Sequence, residues 1–270
     1  MVSIDVDNVT VNFQIYGASR RSLRTTLLAR TGGLIRREGP RGERVIVRAL
    51  ENVSFRLAHG DRLALIGHNG SGKSTLLRAL AGVYKPDAGA IRAVGRVSPL
   101  FAAAPGLDVD DTGFENIKTC GMLLGMAPAE IERKLPDIVE FCELGEYLDL
   151  PVRTYSTGML TRLCFAIATA IDPDILLLDE GIAAGDARFA SRAEARMNEL
   201  IQRSRILVLA SHSSQMIEAF CNRALLLEQG RVMADGSVAD VLAEYHRRNA
   251  EIAAAPQAAA ATASEPEPAT

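Results

Sequence analysis

Tryptophan is absent, and aromatic residues of every kind make up only 5% of the chain, so packing must rest on aliphatic side chains. Lysine is nearly as scarce. Of 30 basic residues only Lys73, Lys85, Lys118 and Lys134 are lysine, a bias that, with the abundant alanine, reflects genome composition more than chemistry. A formal charge of −3 over 270 residues gives no support for a general nucleic-acid binder. No apolar run approaches the ~20 residues needed to span a bilayer. The opening Met-Val-Ser-Ile-Asp-Val-Asp lacks the basic and apolar regions of a signal peptide. A location in the cytosol, or on a membrane through a partner, is therefore expected. Cysteine is limited to Cys120, Cys142, Cys164 and Cys221, with no metal-ligand spacing and no CxxC pair. Such residues are expected to be small, buried or half-buried thiols of a reducing compartment. The length suits one or two domains with a large core.

Against this background one stretch stands out: Gly67-His68-Asn69-Gly70-Ser71-Gly72-Lys73-Ser74-Thr75. It follows the apolar run Leu63-Ala64-Leu65-Ile66, read as a buried strand, and precedes Leu76–Ala81, read as a helix. Strand, glycine-rich loop and helix are the setting that a phosphate-binding P-loop requires. The glycines let successive N–H groups point at one anion, and the helix N-terminus adds partial positive charge there. Lys73 would reach the outer phosphates as a point charge, while the Ser74 hydroxyl would hold Mg²⁺. A glycine loop that merely turns the chain is the plainer alternative, and the full GxxxxGK[ST] pattern argues against it.

Along the chain, residues 2–16 alternate polar and apolar and read as strand, as does Val45–Leu57. Between them lies an insert carrying Arg20, Arg21, Arg24, Arg30, Arg36, Arg37, Arg41 and Arg44, offset only by Glu38 and Glu43. It reads either as a solvated loop or as a basic hairpin or short helix facing anionic lipid headgroups or a phosphorylated substrate. Gly89–Val97 reads as a short strand pair. Phe114–Gly125 and Pro128–Tyr147 read as helices, the second broken or kinked at Pro136. Thr157–Ala170 is a further helix, opening within Tyr155-Ser156-Thr157-Gly158-Met159.

Ile175–Asp179 is an unbroken apolar strand ending in the carboxylates Asp179 and Glu180. Such a strand is buried on both faces, as in a parallel sheet, and its C-terminal end is where open α/β sheets place ligands. After a P-loop, Asp179 fits the Mg²⁺ side and Glu180 the base for the attacking water. Ala187–Arg203 reads as helix, and Ile206–Ala210 as a strand that ends at Ser211-His212. His212 is thereby ranked above the other three histidines. Ala224–Glu228 and Arg231–Ala234 pair around Gln229-Gly230, and Val238–Arg248 is helical. From about Asn249 the chain is mostly Ala, Pro, Glu and Ser, and disorder is expected over 249–270.

Taken in order over residues 1–248, these motifs resemble the nucleotide-binding subunit of an ATP-binding cassette (ABC) transporter. Gly67–Thr75 matches the family's Walker A motif, Ile175–Glu180 its Walker B motif with catalytic glutamate, and His212 its switch histidine. Asp186 falls at the D-loop aspartate, and Ser156 and Gly158 match the signature motif. Phe13 stands in the register of the adenine-stacking aromatic, with Tyr16 as runner-up and core packing as the alternative for both. The resemblance implies an α/β P-loop ATPase core with an antiparallel β subdomain and a helical subdomain at about 98–172. It implies ATP and Mg²⁺, and a homodimer in which Lys73 of one copy and Ser156 of the other clasp one γ-phosphate.

Departures accompany the match. Thr157 and Met159 replace the usual glycine and glutamine of the signature, Gly181 replaces the proline after the glutamate, and Val97–Asn116 contains no Q-loop glutamine. With Pro151-Val152-Arg153-Thr154, Gly185-Asp186-Ala187-Arg188-Phe189 and the arginine-rich insert, the pattern is similar to the branch that exports lipid-linked polysaccharides. Some members of that branch carry an added C-terminal sugar-binding domain, for which the Ala/Pro-rich tail here is too short. The implied partners are a separate transmembrane permease and, through it, a lipid-linked glycan, at the cytoplasmic face of the inner membrane. An exporter ATPase for another cargo and a soluble regulatory ABC ATPase are the alternatives. A nucleotide kinase would leave Ser156, Gly158 and His212 unexplained.

Overall fold

The computed structural model describes residues 1–16, 34–38, 44–100, 105–179 and 187–262. Most of the arginine-rich insert, residues 101–104 in the Q-loop region, and Glu180, Gly181 and Asp186 lie outside them.

Two sheets form the frame. An antiparallel sheet of order β2-β3-β1-β5 is built from β1 (Ser3–Tyr16), β2 (Leu34–Glu38), β3 (Arg44–Ala58) and β5 (Ala88–Val94). A second sheet of order β10-β9-β4-β8-β7-β6 uses β4 (Arg62–Ile66), β6 (Val97–Leu100), β7 (Ile175–Asp179), β8 (Ile206–Ala210), β9 (Arg223–Glu228) and β10 (Arg231–Ser237). All of its pairings are parallel except β9–β10. The strands read as continuous apolar runs because both faces are covered. Leu63 and Leu65 face a core shared with the antiparallel sheet and with helix α1 (Lys73–Leu80), while Ala64 and Ile66 face helices on the other side.

Gly89–Val97 is not a strand pair. Residues Ala88–Val94 join the antiparallel sheet beside β1, and Val97–Leu100 form the edge of the parallel sheet beside β7. Gly95, at φ 122, lets the chain pass from one sheet to the other. The helical layer follows β6. It comprises α2 (Gly113–Leu123), α3 (Pro128–Cys142) and α4 (Thr157–Thr169), packed around Ile117, Ile138, Leu148, Leu163 and Ile167. Helix α3 continues through Pro136 because Ile131, Ile138 and Phe141 are buried on one face, and it ends instead at Glu143, φ 53.

Helix α5 (Ala187–Arg203) fastens this layer to the sheet. The Arg192 and Arg196 guanidinium groups lie 5.0 and 4.5 Å from the Phe141 ring centroid. Arg196 also donates to Asp137 (Nη1–Oδ1 2.9 Å) and to the Thr169 hydroxyl (3.0 Å), and Arg192 donates to the Phe141 carbonyl (3.1 Å). Phe141, Phe165 and Phe189 meet ring to ring at 5.4–5.8 Å. Hydrogen bonding to Arg196 holds the Asp137 carboxyl below its ordinary range.

Asn116, fully buried on α2, organises the loop ahead of that helix. Its amide donates to the carbonyls of Asp108 (2.8 Å) and Thr112 (2.9 Å), and its oxygen accepts from the Asp108 N–H (2.8 Å). Replacing Asn116 by alanine strands these backbone groups. Stability is expected to fall by roughly 2–3 kcal/mol, read as a lower denaturant midpoint at unchanged slope.

All four cysteines are free, and burial pushes the Cys120 and Cys221 thiols up to about 11 and about 12. Thiols so raised, at Cys120 and Cys221, are packing residues of low reactivity. Helix α6 (Ser214–Phe220) follows β8, and α7 (Val238–Thr262) closes the described chain. That last helix corrects the boundary expected at Asn249: the alanine-rich stretch is helical as far as Thr262, in keeping with alanine's helix propensity.

Candidate functional site

The phosphate loop takes its shape from neighbours as well as from its own glycines. Gly72 has φ 110, and a Cβ there would sit 2.8 Å from the Ala49 carbonyl oxygen of β3. Helix α1 then starts without a side-chain cap, which leaves the amides of its first turn for an anion. Lys73 is 8% exposed, and its ammonium donates to the carbonyls of Gly67 (2.5 Å) and His68 (3.1 Å). A cation is thus held across the loop by the loop's own backbone. The Ser71 hydroxyl is buried with no hydrogen-bond partner among the described residues. His68, Asn69 and Gly70 are exposed at the rim, where His68 Nδ1 lies 2.7 Å from the Asn69 carbonyl oxygen. Cation, uncapped helix start and crowded glycines together fit a polyphosphate.

Sheet register brings the other candidates to the same edge. Leu65, one residue before the end of β4, pairs with Ala210 of β8, and Ala210 pairs with Asp179 of β7. Gly67, Asp179 and the Ser211-His212 step therefore leave three adjacent parallel strands at one level. Helix α1 packs on β7 and β8, which puts Ser74 and Thr75 in its first turn near that edge. Ser74 and Asp179 are hard oxygen donors of the kind Mg²⁺ takes. His212 is exposed. Phe13 lies on β1, half-buried, with its ring edge-on to Tyr84 at 5.2 Å.

Ser156 and Gly158 lie apart from this cluster, at the start of α4 in the helical layer. Ser156 is the N-cap of α4, and its hydroxyl accepts from the Met159 N–H (3.3 Å). Just before it, the Tyr155 hydroxyl donates to the Tyr147 carbonyl (2.7 Å), and burial raises the phenol above its ordinary value. A Cβ on Gly113 would lie 2.5 Å from that hydroxyl. Tyr155 and Gly113 thus anchor the entry to α4, a role that motif and spacing alone do not assign.

A family model described as ABC transporter matches residues 50–183. The O-antigen export system ATP-binding protein RfbE of Yersinia enterocolitica is 49% identical over 233 residues, covering 86% of this chain and 97% of that protein. The chain belongs to the ABC transporter family. Its activity as an ABC ATPase is hydrolysis of ATP. The teichoic acids export ATP-binding protein TagH of Bacillus cereus is 35% identical over 243 residues, covering 90% of this chain but 42% of that longer protein. A solved structure titled as the ATP binding subunit of an ABC transporter superposes with TM-score 0.62 at 25% identity, covering 90% of this chain and 93% of that one. The residues matched by the family model take in both the phosphate loop and β7. Among the described residues no helix is long and apolar enough to cross a membrane.

Proposed function

We propose that this ABC ATPase powers export of a lipid-linked polysaccharide across the inner membrane, docked on a separate transmembrane permease at the cytoplasmic face. The observation that carries the reading is the 49% identity along 97% of an O-antigen export system ATP-binding protein. The likeness to a teichoic acids export ATP-binding protein supports export of a polymer as the task.

In the proposed mechanism the amides of Gly70–Thr75 and the Lys73 ammonium hold the β- and γ-phosphates of ATP, and Phe13 stacks on the adenine. Ser74 and Asp179 are the residues that would hold Mg²⁺, which supplies charge neutralisation at the phosphate oxygens. Glu180 takes a proton from water as its oxygen attacks the γ-phosphorus and the bond to the ADP oxygen breaks. His212 donates to the γ-phosphate. A second copy presents Ser156 and Gly158 at the start of its α4, so that one nucleotide is clasped between two chains, with Asp186 at the seam. The separation of Ser156 from Lys73 in two differently packed layers supports a site completed by a partner copy. Release of the γ-phosphate then lets the copies part.

The test is reconstitution with the permease in lipid vesicles. Phosphate release from Mg·ATP is expected to rise when the lipid-linked glycan is added, and Ser156→Arg is expected to remove that release while leaving ATP binding to the single chain intact. A turnover indifferent to permease and glycan alike would overturn the proposed cargo.

A further inference from the structure

The turn that joins β9 to β10 touches the Walker A loop directly. Gln229 (φ 48) and Gly230 (φ 79) both lie in the left-handed region, the backbone of a two-residue hairpin turn of type I′. The Gly230 N–H donates to the Ser71 carbonyl (2.9 Å), and the Gly230 carbonyl accepts from the Glu51 N–H of β3 (2.9 Å). A Cβ on Gly230 would meet the Ala49 oxygen at 2.5 Å and the Leu50 Cα at 3.1 Å. On the same strand β9, the Leu227 carbonyl oxygen would lie 2.2 Å from a Cβ on Gly67. The loop is thus wedged between β3 and the hairpin at Gly67, Ser71 and Gly72.

We infer that the Gln229–Gly230 turn is a positioning element for the phosphate loop and sets ATP affinity from outside the site. A peptide unit is planar and trans, so its C=O and N–H point in opposite directions. Tying the Ser71 carbonyl to Gly230 therefore fixes the Gly72 N–H to point away from the turn. That amide belongs to the set assigned above to the phosphates, so the inference rests on the ATP site as proposed. The turn itself is pinned from two sides. Arg231 donates to Glu51 (2.9 and 3.0 Å), whose carboxyl is held below its ordinary range first by Arg231 and then by Arg48 at 2.8 Å. On the other side Arg248 of α7 donates to Glu228 (3.0 Å), the residue before the turn. Loop and antiparallel sheet meet at Gly230, and the last helix holds the residue two positions before it.

The experiment uses the full chain and Mg·ATP as probe, measuring Kd by calorimetry and melting temperature with and without nucleotide. Gly230→Ala is expected to raise Kd roughly tenfold or more and to shrink the nucleotide-dependent rise in melting temperature. A general loss of stability would lower both melts together and leave that increment unchanged. Met233→Ala, an exposed change on the same hairpin, is expected to keep the wild-type Kd. Should Gly230→Ala fail to fold, Glu51→Gln decides, because it loosens the turn without adding a heavy atom; its Kd is expected to rise severalfold. A wild-type Kd in a folded Gly230→Ala chain, or in Glu51→Gln where that variant decides, overturns the inference. A wild-type chain that binds no Mg·ATP would instead overturn the ATP site.

Discussion

Lys73→Ala is expected to lower kcat/KM for ATP by about 10²–10³-fold, measured as phosphate release in the presence of the permease. Lys73 is only 8% exposed and its ammonium lies 2.5 and 3.1 Å from two carbonyl oxygens, where a point charge acts on phosphate more strongly than in bulk water. Lys73→Arg is expected not to rescue turnover, because the planar guanidinium cannot occupy the seat of a compact ammonium between the Gly67 and His68 carbonyls. Melting of the nucleotide-free chain is expected to fall as well, because the Gly67 and His68 carbonyls lose their donor, so turnover is compared at a temperature where the variant is folded. Turnover within threefold of wild type in Lys73→Ala would remove the Walker A lysine from the mechanism.

Glu180→Gln is expected to lower kcat by about 10²–10⁴-fold while ATP binding persists. Glutamine keeps the size of the side chain and loses the lone pair that takes the proton from water. Because chemistry rather than association is blocked, Mg·ATP should hold two copies of the variant together, seen as a dimer by light scattering that disappears when ADP replaces ATP. The two substitutions are expected to separate by binding: Lys73→Ala weakens the hold on the phosphates by removing the ammonium, and Glu180→Gln leaves it intact. A Glu180→Gln chain that turns over at the wild-type rate would assign the base elsewhere.

Much of the fold was legible because burial on both faces leaves a strand no polar positions. Leu63–Ile66, Ile175–Leu178 and Ile206–Ala210 are of this kind, and each is a strand at the centre of the parallel sheet. The phosphate loop was legible for a different reason, since its glycines and lysine answer to chemistry rather than to packing. What pattern could not convey is which sheet a short strand joins. Ala88–Val94 and Val97–Leu100 are close in sequence yet separate at Gly95, because pairing is decided by β1 and β7, far away along the chain. Proline at 136 signalled a break, and the burial of Ile138 and Phe141 outweighed the lost hydrogen bond. Gln229-Gly230 announced a hairpin and nothing more. Its contact with Ser71 reaches across more than half of the chain, and no local spacing encodes that. A signal was present in Tyr155, which stands within the signature stretch, yet its role shows only in its bond to Tyr147 and its closeness to Gly113.

The aromatic ring of Phe141, flanked by the Arg192 and Arg196 guanidiniums, has a mechanical meaning. Helix α5 begins directly after residues 180–186, the segment that carries the proposed base and the seam aspartate, and its arginines grip the layer that presents Ser156. Helix α5 thus joins the segment that carries the proposed base to the layer that presents Ser156, with Phe141, Phe165 and Phe189 packed in contact at the join. In the dimer proposed above, that join is the stretch of packed protein between one nucleotide and its neighbour, and it centres on a single benzene ring.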